Sequence, residues 1–203
     1  MPIHQDEGQY DLANLHIQWL VSKWGNVERS KIDLSNTYDE LCSDLDSQKV
    51  TELSLANSRA RLRMTALFAV AGSNNGIVVG TGNKVEDFGI GFYTKYGDGG
   101  VDISPIADLY KSDVYAMGEE LGVIREVLEA APTDGLWNDG RTDEDQIGAT
   151  YEEIEWAMKE STDPKRVDLS ERERKVLDIY QMLNKSNSHK MDPIPVFKLY
   201  SDD

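Results

Sequence analysis

The sequence is short of cysteine, of histidine and of positive charge. Its one cysteine, Cys42, excludes an internal disulfide, and the acids of DELCSDLD around it disfavour a thiolate, so its part is structural. The three histidines, His4, His16 and His189, are scattered and form no zinc constellation. Magnesium, held by carboxylate and phosphate oxygens, is the metal this composition leaves open. Twenty-one Lys and Arg stand against thirty-seven Asp and Glu, a formal charge of −16 with a pI near 4.5. That balance opposes nonspecific binding to nucleic acid or to an anionic membrane. No run approaches the ~20 apolar residues of a membrane span, and no basic segment followed by an apolar core opens the chain, so the expected setting is cytoplasmic. Internal repeats and low-complexity tracts are also lacking, and the length suits one domain with its own core over residues 1–203.

Glycine is unevenly spread. Seven of the sixteen fall between Gly80 and Gly100, mixed with Lys84, Glu86, Asp87, Lys95, Asp98 and Asp102, so backbone can approach a ligand where charged groups converge. The apolar run Ile77–Val78–Val79 suits a strand covered on both faces in a parallel sheet, and it stops at Gly80-Thr81-Gly82-Asn83. In open α/β sheets the ligand crevice lies beyond such strand ends; an ordinary strand-end turn is the competing reading. The sequel FYTKYGDGGVDISPIAD, Phe92 to Asp108, is too glycine-rich for a helix interior and too charged for a core strand, and reads as a specific loop. Lys95 and Lys111 are candidates for phosphate or carboxylate, and Glu86 for a hard cation that phosphates also ligate; together they suit a magnesium-nucleotide.

Around this stretch the pattern is mainly helical. Helices are expected over Tyr10–Trp24, with Leu12, Leu15, Trp19 and Leu20 on one side, and over Asn57–Ala71, with a buried stripe of Met64, Leu67, Phe68 and Ala71. His16 beside the first stripe fits a core-edge histidine better than a catalytic one. Arg29–Leu34 is β-compatible and reads as an edge strand, and Tyr38–Leu55 as helical or partly mobile cover. Arg61, on the Met64 side of its helix, must either meet an anion or snorkel outward; Arg59 and Arg63 share another line. A helix over Leu109–Leu121, with Val114, Met117 and Leu121 inward, puts Lys111 in its first turn, where the macrodipole disfavours a cation unless an anion also binds. Ile124–Ala131 reads as a short helix, Thr133–Arg141 as a loop in which Thr133 either caps or touches a ligand, and Tyr151–Lys159 as helix. Ser161–Ser170 reads as a connection, and Ser170 with Glu173 as the capping box of a helix to Lys185 with Leu177, Tyr180 and Leu183 inward. Beyond it, Ser186–Asp203 reads as a tail.

The run GTGNKVEDFGIGFYTKYGDGGVDISPIADLYKSDV, with NSRARLRM before it and APTDGLW and RTDEDQIGATYEEIE after it, closely resembles the ammonia-dependent NAD synthetases, which are N-type ATP pyrophosphatases. The resemblance extends from about Met1 to about Lys190. It implies a Rossmann-like three-layer α/β/α subunit of the adenine nucleotide alpha hydrolase-like type, with a parallel sheet, assembled as a homodimer. It implies ATP-dependent joining of ammonia to deamido-NAD with Mg2+, giving NAD, AMP and pyrophosphate through an acyl-adenylate. By matching motif, Thr81, Lys111 and Thr133 resemble ATP contacts and Glu86 the magnesium ligand. Arg61, Lys95, Asp102, His189 and Lys190 resemble residues that bind deamido-NAD, partly across the dimer.

The chain departs from the family at one place. Members open with a strand, a pyrophosphate loop of the form Ser-Gly-Gly-x-Asp-Ser and a helix; no Ser-Gly-Gly occurs here, and MPIHQ resembles the segment just after the family's second strand. The expectation is therefore an NAD synthetase domain incomplete at its amino terminus, with its first strand, loop and helix missing. Two consequences stay open: the activity of the family, or a noncatalytic remnant that dimerises or binds the dinucleotide. Another N-type pyrophosphatase with a different acceptor is a further alternative, against which FYTKYGDGGVD argues. With no glutaminase domain in the sequence, free ammonia is the simpler nitrogen source.

Overall fold

Most of the longer helices start at a polar residue that caps them, and the computed structural model describes residues 1–133, 135, 140–162 and 168–199. α1, Glu7–Lys23, begins a turn ahead of expectation because Asp6 takes the Gln9 N–H at 3.2 Å. α2 is Ser35–Leu45, and α3, Glu52–Ser73, starts at the Thr51 cap. α4 is Lys111–Glu120 and α5 is Arg125–Leu128. α6, Asp143–Ile147, and α8, Glu171–Met191, each open on a reciprocal capping box, Thr142 with Asp145 and Ser170 with Glu173. α7, Tyr151–Thr162, is capped in the same way by Thr150 and Glu153. Part of the loop expected after Thr133, and part of the connection expected over Ser161–Ser170, lie outside the described residues, as do Tyr200–Asp203 of the expected tail.

Between the Gly80–Asn83 turn and the loop expected from Phe92, where the sequence pattern calls for no regular element, the chain makes a π-helical turn, Lys84–Ile90. Asn83 starts it, its Oδ1 accepting the Val85 and Glu86 N–H groups at 2.9 and 3.0 Å. Gly91 ends it at φ +61, where a β-carbon would stand 2.5 Å from Asn187 Cβ, so only glycine serves. The core lies where this turn meets the carboxyl-terminal helices: Val85 and Ile90 pack with Ile147, Tyr151, Ile154, Ala157, Met158 and Val176. Leu177, Tyr180 and Leu183, the expected inner face of α8, line the same core.

Several expectations are corrected. Among the described residues the only pairing of strand type is one parallel bridge, Val79 to Ile103. Its sense agrees with the expected parallel sheet, but Val78 is buried while Ile77 and Val79 are 60% and 54% exposed, so one face is covered and not both. Arg29–Leu34 forms no ladder; Leu34 N–H reaches Pro2 O instead, at 3.0 Å. On α3 only Met64 of the expected stripe is buried; Leu67 and Phe68 are exposed, as are Met117 and Leu121 beside α4, since no described element packs over those faces. The tail begins later than expected, because α8 carries on through His189 and Lys190 to Met191. Among the described residues no helix is long and apolar enough to cross a membrane.

Candidate functional site

The turn Gly80–Asn83 and the start of α4 face each other across a cluster centred on Glu86. Asn83, 2% exposed, fixes that carboxylate from one side, its Nδ2 donating to Glu86 Oε2 at 2.6 Å. Lys111, first residue of α4, donates to Glu86 Oε1 at 2.7 Å, and both side chains are largely buried. Tyr151 adds its hydroxyl to the same Oε1 at 2.6 Å and lies 3.1 Å from Asp143 Oδ2. Burial, then the Glu86 and Asp143 carboxylates, push this phenol far above its ordinary range, so it remains a donor. Glu155 takes the Ser112 N–H and hydroxyl at 3.0 and 2.8 Å. The conflict of a lysine at a helix start is thus met by carboxylates from other elements, without an added anion.

Asp87, next in the turn, is pushed up to about 7 by desolvation first, then by Asp98 and Glu86. Its carboxyl packs so closely on Gly82 that a β-carbon there would stand 1.9 Å from Oδ2, which explains the second glycine of GTGN.

A cavity of about 670 Å³ opens beside this cluster, lined by Thr81, Thr133, Met64, Val79, Asp98 and Lys190 among others. Thr133 also accepts the Gly135 N–H at 3.2 Å, so its capping use and its place on the cavity wall coexist. Glu86 and Lys111 do not line that wall. A second cavity of about 560 Å³ is lined by Lys95, Lys190, Tyr93, Tyr96 and Phe68.

The residues assigned by resemblance to the acceptor fall into two places. Arg61, exposed, donates from Nε to Lys95 O at 3.2 Å, and Lys95 Nζ donates to His189 O, so Arg61, Lys95, His189 and Lys190 are gathered together. Lys190 spends its ammonium inside the fold, on Gly91 O at 2.8 Å and Tyr93 O at 2.9 Å, and burial lowers its pKa against the pull of Asp98. His189 is exposed, its ring on Ser186 O at 3.2 Å. Asp102 stands apart, its carboxylate accepting the Val78 N–H at 2.7 Å, where it holds the short parallel pairing in register.

Sequence reasoning missed Asn83, Tyr151 and Asp143. The Asn83-x-x-Glu86 spacing carried a capping signal that could have found the first. Nothing local marks Tyr151, which is 65 residues from Glu86. Among the described residues no group of three or more His, Cys, Asp or Glu forms a metal cage. A single carboxylate such as Glu86 still fits magnesium, which keeps waters and takes its other oxygens from bound phosphates.

The backbone defines the class of fold. It superposes on a solved NMN synthetase from Francisella tularensis with a TM-score of 0.82 and 32% identity, over 98% of this chain and 76% of that one. The NH(3)-dependent NAD(+) synthetase of Finegoldia magna is 38% identical over 77% of this chain, and that of Alkaliphilus metalliredigens 39% over 83%. The chain spans 64% of the length of the first and 68% of the second. The NAD synthase family profile matches residues 1–193, and the chain belongs to that family.

Proposed function

We propose that this chain provides the nucleotide and acceptor site of an ammonia-dependent NAD synthetase, a ligase that forms a C–N bond by amidating deamido-NAD at the expense of ATP. The observation that carries the reading is the Glu86–Lys111 pair, 2.7 Å apart beside the Gly80–Asn83 turn, a carboxylate for the metal and an ammonium for phosphate in one place. In the reaction the pyridine carboxylate attacks the α-phosphate of ATP and pyrophosphate leaves. Ammonia then attacks the resulting acyl-adenylate, and AMP departs with the former carboxylate oxygen. A free carboxylate is a poor acyl donor, and the adenylate removes that difficulty.

Each residue has a part in this reading. Lys111 exchanges Glu86 for a phosphate oxygen and offsets the charge that builds there. Thr81 and Thr133, on one cavity wall, hydrogen-bond the nucleotide. Glu86 holds Mg2+, which when bound neutralises phosphate charge. Arg61, Lys95 and His189 border the acceptor site, Lys190 supports its backbone, and Asp102, set apart from them, holds the Val78 backbone beside the nucleotide turn. The finer expectations belong to the same reading: residues 1–203 as one domain, a parallel sheet in a three-layer α/β/α fold, a homodimer and a cytoplasmic setting. No role for nucleic acid or membrane is included.

A second reading changes only the acceptor. The likeness to an NMN synthetase along 98% of this chain favours a pyridine mononucleotide as the molecule amidated. One experiment separates the two: incubation with ATP, Mg2+ and ammonium, with deamido-NAD or with nicotinate mononucleotide, and chromatography of amide and AMP. Equal yields of amide and AMP with the dinucleotide support the first reading, and with the mononucleotide alone the second. A folded chain that binds either acceptor calorimetrically yet forms no AMP would be the noncatalytic remnant.

A further inference from the structure

One aromatic side chain touches both members of the Glu86–Lys111 pair. Tyr151 places its hydroxyl 2.6 Å from Glu86 Oε1 and its ring centroid 4.8 Å from Lys111 Nζ. Tyr151 is itself firmly set. It is 7% exposed, belongs to the core with Ile147 and Ile154, and its N–H donates to Glu144 Oε1 at 2.9 Å. The geometry has a particular consequence. Glu86 has one neutral donor on each oxygen, Asn83 Nδ2 on Oε2 and the Tyr151 hydroxyl on Oε1, in addition to Lys111. When Lys111 leaves, the plane of the carboxylate is still fixed by two hydrogen bonds, and the ammonium still has a ring face to rest on.

We propose that Tyr151 is a positioning residue for the nucleotide site, its hydroxyl orienting Glu86 and its ring supporting Lys111, so that the two charges can part to meet metal and phosphate without losing their places. The proposal deepens the reading above and rests on it for the ligands, while the positioning itself is a property of the free chain. Glutamate and lysine side chains each have several rotatable bonds, and the fixed aromatic removes that freedom before any ligand arrives. The hydroxyl has a single proton, and the shorter contact assigns it mainly to Glu86, with Asp143 Oδ2 at 3.1 Å as the weaker acceptor.

Two variants separate the ring from the hydroxyl. Tyr151→Phe keeps the ring, and Tyr151→Leu keeps only apolar bulk. The first readout is the rate at which Lys111 is acylated by an amine-reactive ester in the unliganded chain, followed by mass spectrometry with exposed Lys175 as reference. The expected result is a rate near wild type in Tyr151→Phe and one roughly fivefold or more faster in Tyr151→Leu. The second readout is the Mg2+ concentration that gives half-maximal amidation. It is expected to rise roughly tenfold in Tyr151→Phe, with turnover at saturating Mg2+ nearly kept, as loss of one hydrogen bond to a charged group implies. Unchanged Lys111 acylation in a folded Tyr151→Leu, or unchanged Mg2+ dependence in Tyr151→Phe, overturns the proposal. If the wild-type chain amidates neither acceptor while the acylation pattern holds, the functional reading fails and the positioning stands.

Discussion

Asp87 shows what burial does to one carboxyl. Its pKa rises from the usual carboxylate range to about 7 because it leaves water and sits near Asp98 and Glu86. The folded state therefore favours the protonated form. Stability is fullest below the unfolded value near pH 4 and falls as pH climbs toward 7, where the folded group also ionises. Asp87→Asn removes that dependence. It is expected to be more stable than wild type at pH 8 by about 2–4 kcal/mol, with the gap closing toward pH 4. Thermal melts of both proteins across that range check it, and a gap independent of pH would assign the gain to packing instead. At this scale the sequence was informative about kind and silent about state: the acids around Gly82 and Gly100 were visible as a cluster, but which of them is desolvated depends on what the fold lays over each.

At the scale of elements, α8 acts as a splint for the turn that carries Glu86. Asn184, Asn187 and Lys190 recur every three residues along one line of the helix and reach Gly89 O, Ile90 O and Gly91 O, each at 2.8 Å. A π-helical turn leaves carbonyls that its own ladder does not use, and a neighbouring helix satisfies them. Lys190→Met is expected to leave two carbonyls without this partner and to cost about 1–3 kcal/mol, read as a lowered midpoint in urea. If the acceptor site alone used this lysine, the midpoint would hold and only acceptor affinity would fall. The sequence announced the capping box of α8 and its inner face, since these are local patterns. It did not announce that α8 continues through His189, because the contacts that keep those residues helical come from the 89–93 segment, almost a hundred residues away.

For the whole molecule, the charge of −16 is a standing repulsion that the compact state must bear. Exposed pairs such as Arg125 with Glu129 and Arg172 with Glu153 offset little of it. Raising NaCl from about 50 to about 500 mM is therefore expected to raise the melting temperature, as screening relieves the long-range term more than it weakens the pairs. A fall would mean that local pairs, including the largely buried Glu86–Lys111 contact, outweigh net repulsion. At this scale too belong the apolar side chains that remain open, among them Leu67 and Val79 on the larger cavity and Ile77 at the short parallel pairing.

What the sequence determined by itself is the chemistry available and its local scaffolding. The glycine-rich run, the lysine at the start of α4, the acid three residues after Asn83 and the capping residues are all short-range features, and short-range sterics and hydrogen bonding give them their meaning. Only the tertiary structure decided the partnerships. Glu86 meets Lys111 and Tyr151 from 25 and 65 residues away, Asp102 turns to the Val78 backbone, and Lys190 turns inward to two carbonyls. The physical reason is that a buried charge or N–H must find a partner wherever packing brings one, and packing is fixed by the burial of Ile90, Ile154 and Val176 together, not by spacing along the chain.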